Sequence, residues 1–456
     1  MSQLKQERSV QELYADDPER ADALVFGRRT DASRRGFLQG AGLTAMGAFV
    51  GASIPFSENM PSGLLPAAFA QTPPAEPAKP AEAKPEPAGP KFLEFPGKDG
   101  KLVLLGDKPL VAETPEHLLD DDTTPYSKFF IRHNGNPPAE VADADAWKLV
   151  VEGEVDNKLE LTLGELKKKY KPQTYRMVLE CGGNGRAFYS PPARGNQWTN
   201  GGIGCAEWTG VRLGDVLKAA GLKPSAVYTA HYGADTHLSG DPAKDTLSRG
   251  LPIKKAMDEH SLLVWAMNGE PLPNVHGGPL RIVSPGYPGS VSHKWLNRIV
   301  IRDKVHDGQG MKGWSYRVPI NPMVPGAKAD EANARVMEFM PTRSIVTNPA
   351  NGAKFAAGTR KLDIRGAAWA GEREVTAVDL SVDYGQTWTP AKLGKLKNRF
   401  DWNRFTAQLT LPSDGYFEIW SRATDSTGAM QPLAAPNWNP QGYGGNPINR
   451  IAVLVG

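Results

Sequence analysis

The sequence predicts an α+β protein, mostly β, in which a loop-rich mixed domain precedes a β-sandwich of immunoglobulin type. Three observations carry that prediction. Between about residues 96 and 335, short β-rich runs such as Trp147-Lys-Leu-Val-Val-Glu152 and Leu262-Leu-Val-Trp-Ala266 alternate with brief helical ones, without a βαβ rhythm. From about residue 336 the pattern becomes a series of alternating strands between Gly, Pro and Asp turns. Midway, the apolar run Met177-Val-Leu179 leads into the glycine-rich turn Cys181-Gly-Gly-Asn-Gly-Arg186, which places a thiol at the mouth of a buried strand.

In chain order, residues 1–70 read as an export signal. Polar residues 1–33 precede Ser33-Arg-Arg-Gly-Phe-Leu-Gln39, then an uncharged stretch from Gly40 to Phe56, and Ala68-Phe-Ala70 offers a small-residue cleavage site. Paired arginines, Phe-Leu and a mild apolar region form a twin-arginine pattern, which implies the twin-arginine translocase as a partner. That route carries folded proteins, often built around a cofactor. The apolar stretch is short for a membrane helix, which needs about 20 residues. Residues 71–95 are rich in Pro, Ala, Lys and Glu, a composition suited to an extended tether.

Within residues 96–335, Leu161–Tyr170 and Arg212–Gly221 carry apolar residues at helical spacing, and the second closes on a glycine cap. Residues 336–456 contain the strand patterns Leu362–Gly366, Val375–Asp383, Phe405–Leu411 and Tyr416–Ala423. A sandwich follows, without a disulfide pin of its own.

A net charge of +3 over 456 residues, with no basic run interleaved with aromatics, gives no support for nucleic-acid binding. The two cysteines, Cys181 and Cys205, form no CxxC or CxxCH. Zinc knuckles, covalent c-type haem and four-thiolate iron–sulfur clusters are thereby excluded. Cys181 alone is open to four readings: nucleophile, metal ligand, half of a disulfide, or packed thiol. Cys205 lies among Ile203, Ala206 and Trp208, which favours a buried lone thiol.

Three more clusters stand out. Tyr126-Ser-Lys-Phe-Phe-Ile-Arg132-His133-Asn134 reads as a strand ending in polar and cationic side chains. His276-Gly-Gly-Pro-Leu-Arg281 and Ser284-Pro-Gly-Tyr-Pro-Gly-Ser-Val-Ser292-His293-Lys294-Trp295 expose backbone donors beside an arginine and a lysine, which suits a phosphate. Gly233-Ala-Asp235 puts one carboxylate in a turn. Singly, Arg132 reads equally well as a strand cap, and His276 and His293 as satisfied buried histidines.

Together, FFIRHN, LECGGNGR, GAD, NGEPLPNVHGGPLR and PGYPGSVSHKWL resemble, in order and spacing, the sulfite oxidase family of mononuclear molybdenum enzymes. The similarity runs from about residue 125 to the C-terminus and is strongest to the periplasmic sulfite dehydrogenases and sulfane dehydrogenases. It implies a molybdopterin-binding domain over 96–335 and a dimerisation sandwich over 336–456. Cys181 then matches the thiolate that binds molybdenum, itself carried on a pyranopterin. Asn134, Asp235, His276, Arg281, Ser292, His293 and Lys294 fall on cofactor-binding positions, with Arg281 and Lys294 at the phosphate. Arg132 and Arg186 match cations facing a sulfur oxyanion, and Trp198 and Tyr316 the pocket's aromatic and tyrosine. Sulfite oxidation in the periplasm is implied, by a homodimer or a heteromer with a cytochrome. Without a haem motif in this chain, electrons would leave to a separate c-type cytochrome.

Two positions depart from the family pattern. In Arg132-His133-Asn134, many sulfite oxidases have histidine one place later, and Gln441 stands where vertebrate-type enzymes carry a further substrate arginine. A pocket with one cation fewer fits the alternative of a sulfane dehydrogenase subunit acting on a carrier-bound sulfur and pairing with a dihaem cytochrome. A periplasmic molybdopterin-dependent reductase is a further alternative, although that branch generally lacks the sandwich. A non-catalytic binding protein built on the sandwich would leave the Cys181 turn unexplained.

Overall fold

In a computed structural model that describes residues 89–456, the Gln173–Glu180 strand is buried along most of its length. The twin-arginine segment and most of the linker lie outside the described residues. Packing begins inside the stretch read as linker, where Leu93 is buried and Phe92 bridges to Val103. Among the described residues, no helix is long and apolar enough to cross a membrane.

Gln173–Glu180 pairs antiparallel with Ile203–Arg212, so that Val178 faces Cys205 and Glu180 faces Ile203. Leu262–Met267 continues this sheet and pairs in turn with Glu270–Pro271 and Arg281–Val283. A second sheet runs in the order Leu159–Thr162, Lys148–Gly153, Leu296–Arg302, Tyr228–Gly233, with its central pair parallel. Leu149, Val151, Leu263, Ile282, Ile299 and their neighbours fill one core between them.

The two expected helices form, for local reasons. Leu163–Lys169 starts at a capping box, in which Thr162 and Glu165 exchange bonds of 2.7 and 3.1 Å. Leu213–Ala220 buries Leu213, Val216, Leu217 and Ala220, and Gly221 takes the positive φ that ends it. One expectation changes: Tyr126–Phe130 is not a strand. Tyr126–Lys128 is a 3-10 turn entered from Pro125, and only Ile131–Arg132 pairs as strand.

The C-terminal region is the expected sandwich. One sheet holds Arg343–Asn348, Lys361–Trp369, Asn403–Thr410 and Lys392–Leu393, and the other is built around Gly415–Asp425 and Asn449–Val455. Leu362, Ile364, Leu380, Ile419 and Val453 meet between them. Lys361–Trp369 alternates exposed and buried residues only at its start. Beyond Gly366 both faces are covered, because Ala367 and Trp369 pack with Ile203 and Cys205 of the first region. A buried Arg176–Asp401 ion pair, at 2.9 and 2.6 Å, also joins the two regions. The described residues, 89–456, accordingly lie in one compact unit.

Candidate active site

The end of the Gln173–Glu180 strand delivers Cys181 into a turn that is fixed bond by bond. Cys181 N–H donates to Gly202 O at 2.8 Å, and Asn184 N–H to Cys181 O at 2.9 Å. The Asn184 side chain accepts from Gly202 N–H at 3.0 Å and donates to Glu180 at 2.9 Å. Gly185 has φ +82°, and a Cβ there would fall 2.1 Å from Gly445 O, so only glycine fits.

Behind the turn, Glu180 is held by the sandwich. Trp369 Nε1 donates to Glu180 Oε2 at 2.8 Å, and Arg343 Nε lies 2.8 Å from Oε1. That last contact is an ion pair off the hydrogen-bond direction, since Arg343 Nε has no aligned acceptor. The same guanidinium donates to Asn200 Oδ1, Asn184 O and Gly445 O.

In front of the turn, Cys181 opens onto a pocket. Arg132 and Asn134 reach it from the end of the Ile131–Arg132 strand, and Asp235 from the turn after Tyr228–Gly233. His276 and Arg281 enter from the segment leading into Arg281–Val283, and Ser292, His293 and Lys294 from the next loop. Tyr316 closes one side, its ring stacked 4.8 Å from Tyr443 with Arg249 4.5 Å over it. Sequence reasoning missed Ser290 and Leu247, which also line the pocket.

Arg186 and Trp198 are not among the lining residues. Arg186 donates to Gln441 O at 2.7 Å and Asn196 O at 2.9 Å, and lies 5.3 Å over the Tyr443 ring. Trp198 is fully buried beside Phe130 in the core cluster that includes Cys181. Cys181 and Cys205 are both buried free thiols.

The pocket's electrostatics are lopsided. Arg132, Arg281 and Lys294 share it with a single carboxylate, Asp235. Arg281 spends its donors on backbone carbonyls, His276 O and Ser292 O at 2.7 Å each, and Lys294 donates to Val275 O. Burial lowers Arg281 to about 9; burial and the neighbouring Arg281 charge, against the opposing pull of Asp235, hold Lys294 well below its usual range. Burial likewise keeps His276 neutral, lowers His293 to about 3 and raises Asp235 to about 6. The Cys181 thiol is pushed up by burial, against the opposing guanidinium groups of Arg132 and Arg186.

Three polar atoms at this pocket are buried without a partner among the described residues: Arg132 Nη1, Ser290 Oγ and His293 Nδ1. Buried polar groups are normally satisfied, so this set fits an anionic, acceptor-rich group beside a soft sulfur ligand. A molybdenum pterin with its phosphate has that chemistry.

Comparison with known proteins agrees. The oxidoreductase molybdopterin binding domain matches residues 134–310, and the Mo-co oxidoreductase dimerisation domain residues 334–455. Sulfite oxidase of Gallus gallus is 32% identical over 79% of this chain and 80% of its own length. The chain belongs to the sulfite oxidase family. Mitochondrial sulfite oxidase of Drosophila melanogaster is 30% identical over 80% of this chain, which spans 65% of that relative's length. The crystal structure of the sulfane dehydrogenase SoxCD from Paracoccus pantotrophus superposes with a TM-score of 0.64 at 27% identity, covering 85% of this chain and 96% of that one. As a member of the sulfite oxidase family, the protein is a molybdenum oxidoreductase of the class acting on sulfur compounds.

Proposed function

We propose that this protein is a periplasmic sulfite dehydrogenase, oxidising sulfite to sulfate and passing electrons to a separate c-type cytochrome. The observation that carries the substrate class is Arg132, which lines the pocket beside Cys181 with a buried, unpaired Nη1. Its planar fork suits an oxyanion. When bound, the molybdenum pterin supplies the two-electron oxidation of sulfur. Cys181 offers the thiolate ligand. Arg281 and Lys294 would hold the phosphate end, and Asn134, Asp235, His276, Ser292 and His293 the pterin. Tyr316, clamped between Arg249 and Tyr443, donates toward the reacting centre. Arg186 braces the wall through Gln441 and Asn196, with Trp198 packed behind Cys181. Export rests on the twin-arginine pattern, and a separate acceptor on the lack of a haem motif. The matched dimerisation region supports a homodimer or a heteromer with the cytochrome.

A specific observation favours a second reading, the sulfane dehydrogenase role. Arg186 spends Nε and Nη1 on carbonyls away from the pocket lining and Gln441 brings no charge, which leaves Arg132 as the pocket-lining guanidinium with a buried nitrogen unpaired among the described residues. Such a pocket suits a less charged, carrier-bound sulfur.

Steady-state cytochrome c reduction by the metal-loaded protein separates the two. Turnover with free sulfite that vanishes in Cys181→Ser supports the dehydrogenase. Activity only with a sulfane-carrying protein moves it to the second reading. Silence with both, at full molybdenum content, overturns both.

A further inference from the structure

Lys98 lies in the N-terminal arm, outside the residues matched by either family domain. Its ammonium is mostly buried and touches no carboxylate among the described residues. It has three partners instead: Tyr126 O at 2.5 Å, Phe129 O at 2.9 Å and His276 Nε2 at 2.7 Å. The His276 ring is clamped edge-on by Tyr126 and Phe129, at centroid distances of 5.5 and 5.3 Å. Its other nitrogen, Nδ1, makes no hydrogen bond among the described residues, and the residue borders the pocket.

We propose that Lys98 is a positioning residue for the pterin group. As an ammonium it donates to His276 Nε2, which places that ring's proton on Nδ1 and adds a donor to the pocket. The inference rests on the reading that this pocket holds an anionic pterin.

The geometry supports it in two ways. An ammonium has three donors, and the three contacts use all of them. Two partners are carbonyl oxygens, which only accept, so the third N–H is left for Nε2. The reverse arrangement, a neutral amine accepting from Nε2–H, would leave Nδ1 as a lone pair. A lone pair there would add an acceptor to a pocket whose charged side chains are the cations Arg132, Arg281 and Lys294 against the single carboxylate of Asp235. The proton on one imidazole nitrogen is set by the bond the other makes. Lys98 also adds charge to a site already holding Arg281 and Lys294, a cost that a bound anion offsets.

A merely structural lysine, tying the arm to the Tyr126 turn, would leave the His276 tautomer and the cofactor untouched. The test therefore reads both, independently of sulfur oxidation. First, molybdopterin per chain and its half-life on the protein are followed in the loaded wild type, Lys98→Met and Lys98→Gln. Lys98→Met is expected to lose cofactor ~10-fold faster or more, the effect of removing a group that orients a ligand from behind. Lys98→Gln, which keeps a donor without the charge, is expected to lie between. Second, nitrogen-15 spectra of histidine-labelled wild type, assigned by the signal lost in His276→Gln, are expected to show a protonated Nδ1 and an unprotonated Nε2. Wild-type half-life in Lys98→Met, or a wild-type spectrum with the proton on Nε2, overturns the proposal. If Lys98→Met does not fold, the wild-type spectrum and Lys98→Gln still decide. A wild-type chain that takes up no pterin sinks the reading of the pocket instead, and the nitrogen spectrum of that chain recorded below pH 7, where Lys98 is an ammonium, still tests Lys98.

Discussion

Cys181 stands between two polar environments built on opposite plans. Behind it, Glu180 is surrounded by Arg343, Trp369 and Asn184, and the Arg343 guanidinium reaches three further oxygens. In front of it, Arg132 Nη1, Ser290 Oγ and His293 Nδ1 have no partner among the described residues. Groups paired inside the chain serve folding; the unpaired atoms in front border a pocket, unlike Arg343 Nε, which still lies 2.8 Å from a Glu180 oxygen, and so are placed to meet a group from outside. The sandwich contributes Arg343 and Trp369 to the first environment, so it shapes the Cys181 turn as well as any interface between subunits.

The largest effect expected from this contrast is on stability. Arg343→Leu leaves the Glu180 carboxylate buried without its counter-charge, which typically costs about 3–5 kcal/mol. Urea unfolding of the purified chain should show that loss, a large fraction of a domain's usual ~5–15 kcal/mol. A loss under about 1 kcal/mol would mean that the two environments do not differ as described.

Arg132→Gln should behave in the opposite way. Its guanidinium has an unpaired nitrogen, so stability is expected to change by about 0.5 kcal/mol or less. A hydrogen bond from a charged group is worth about 1.5–3 kcal/mol, so kcat/KM for the sulfur substrate should fall ~10- to 100-fold. Steady-state kinetics beside a melting curve checks both. A variant as unstable as Arg343→Leu would place Arg132 with the folding groups.

The same contrast explains what could be read from the sequence. The turn at Cys181 was legible because an apolar strand, glycines and an arginine follow one another in a single stretch. Arg132, Asp235, Arg281 and Lys294 were legible as strand ends and loops whose polar side chains are crowded together. The helices at Leu163–Lys169 and Leu213–Ala220 follow from local spacing and caps. Lys98, Arg343, Trp369 and Tyr443 were not legible as parts of the site. Lys98 meets His276 across 178 positions, and Trp369 meets Glu180 across 189, so no local pattern links them. A lysine between glycines at Gly97-Lys98-Asp99-Gly100 reads as a solvated turn, yet it folds inward. The Tyr126–Phe130 stretch misled for the same reason. Its Tyr126 and Phe129 carbonyls accept from Lys98 rather than from a neighbouring strand.

A pH experiment sharpens the front side further. Burial holds Lys98 at about 7 in the cofactor-free fold, against the ordinary 10.5. The unfolded chain therefore binds a proton that the fold has released between those values, so stability should rise with pH across that window. Below about 7 both states are protonated and the penalty is complete. Urea midpoints of cofactor-free protein from pH 7 to 10 are expected to climb, with a smaller slope in Lys98→Met. An equal slope in the variant would assign the effect to other groups, such as Lys294.

The smallest effect is the most discriminating because its sign should invert. Ser290 Oγ is buried without a partner, so in cofactor-free protein Ser290→Ala removes an unsatisfied hydroxyl, and stability should hold or rise by up to about 1 kcal/mol. In the loaded protein the same change removes a donor to the bound group, and cofactor half-life should shorten. Substitution of a folding group such as Glu180 lowers stability in both states. Melting temperatures of both forms, measured side by side, would show whether Ser290 belongs to the ligand or to the fold. A drop in both forms would move it to the folding side and leave Arg132 Nη1 and His293 Nδ1 to define the front.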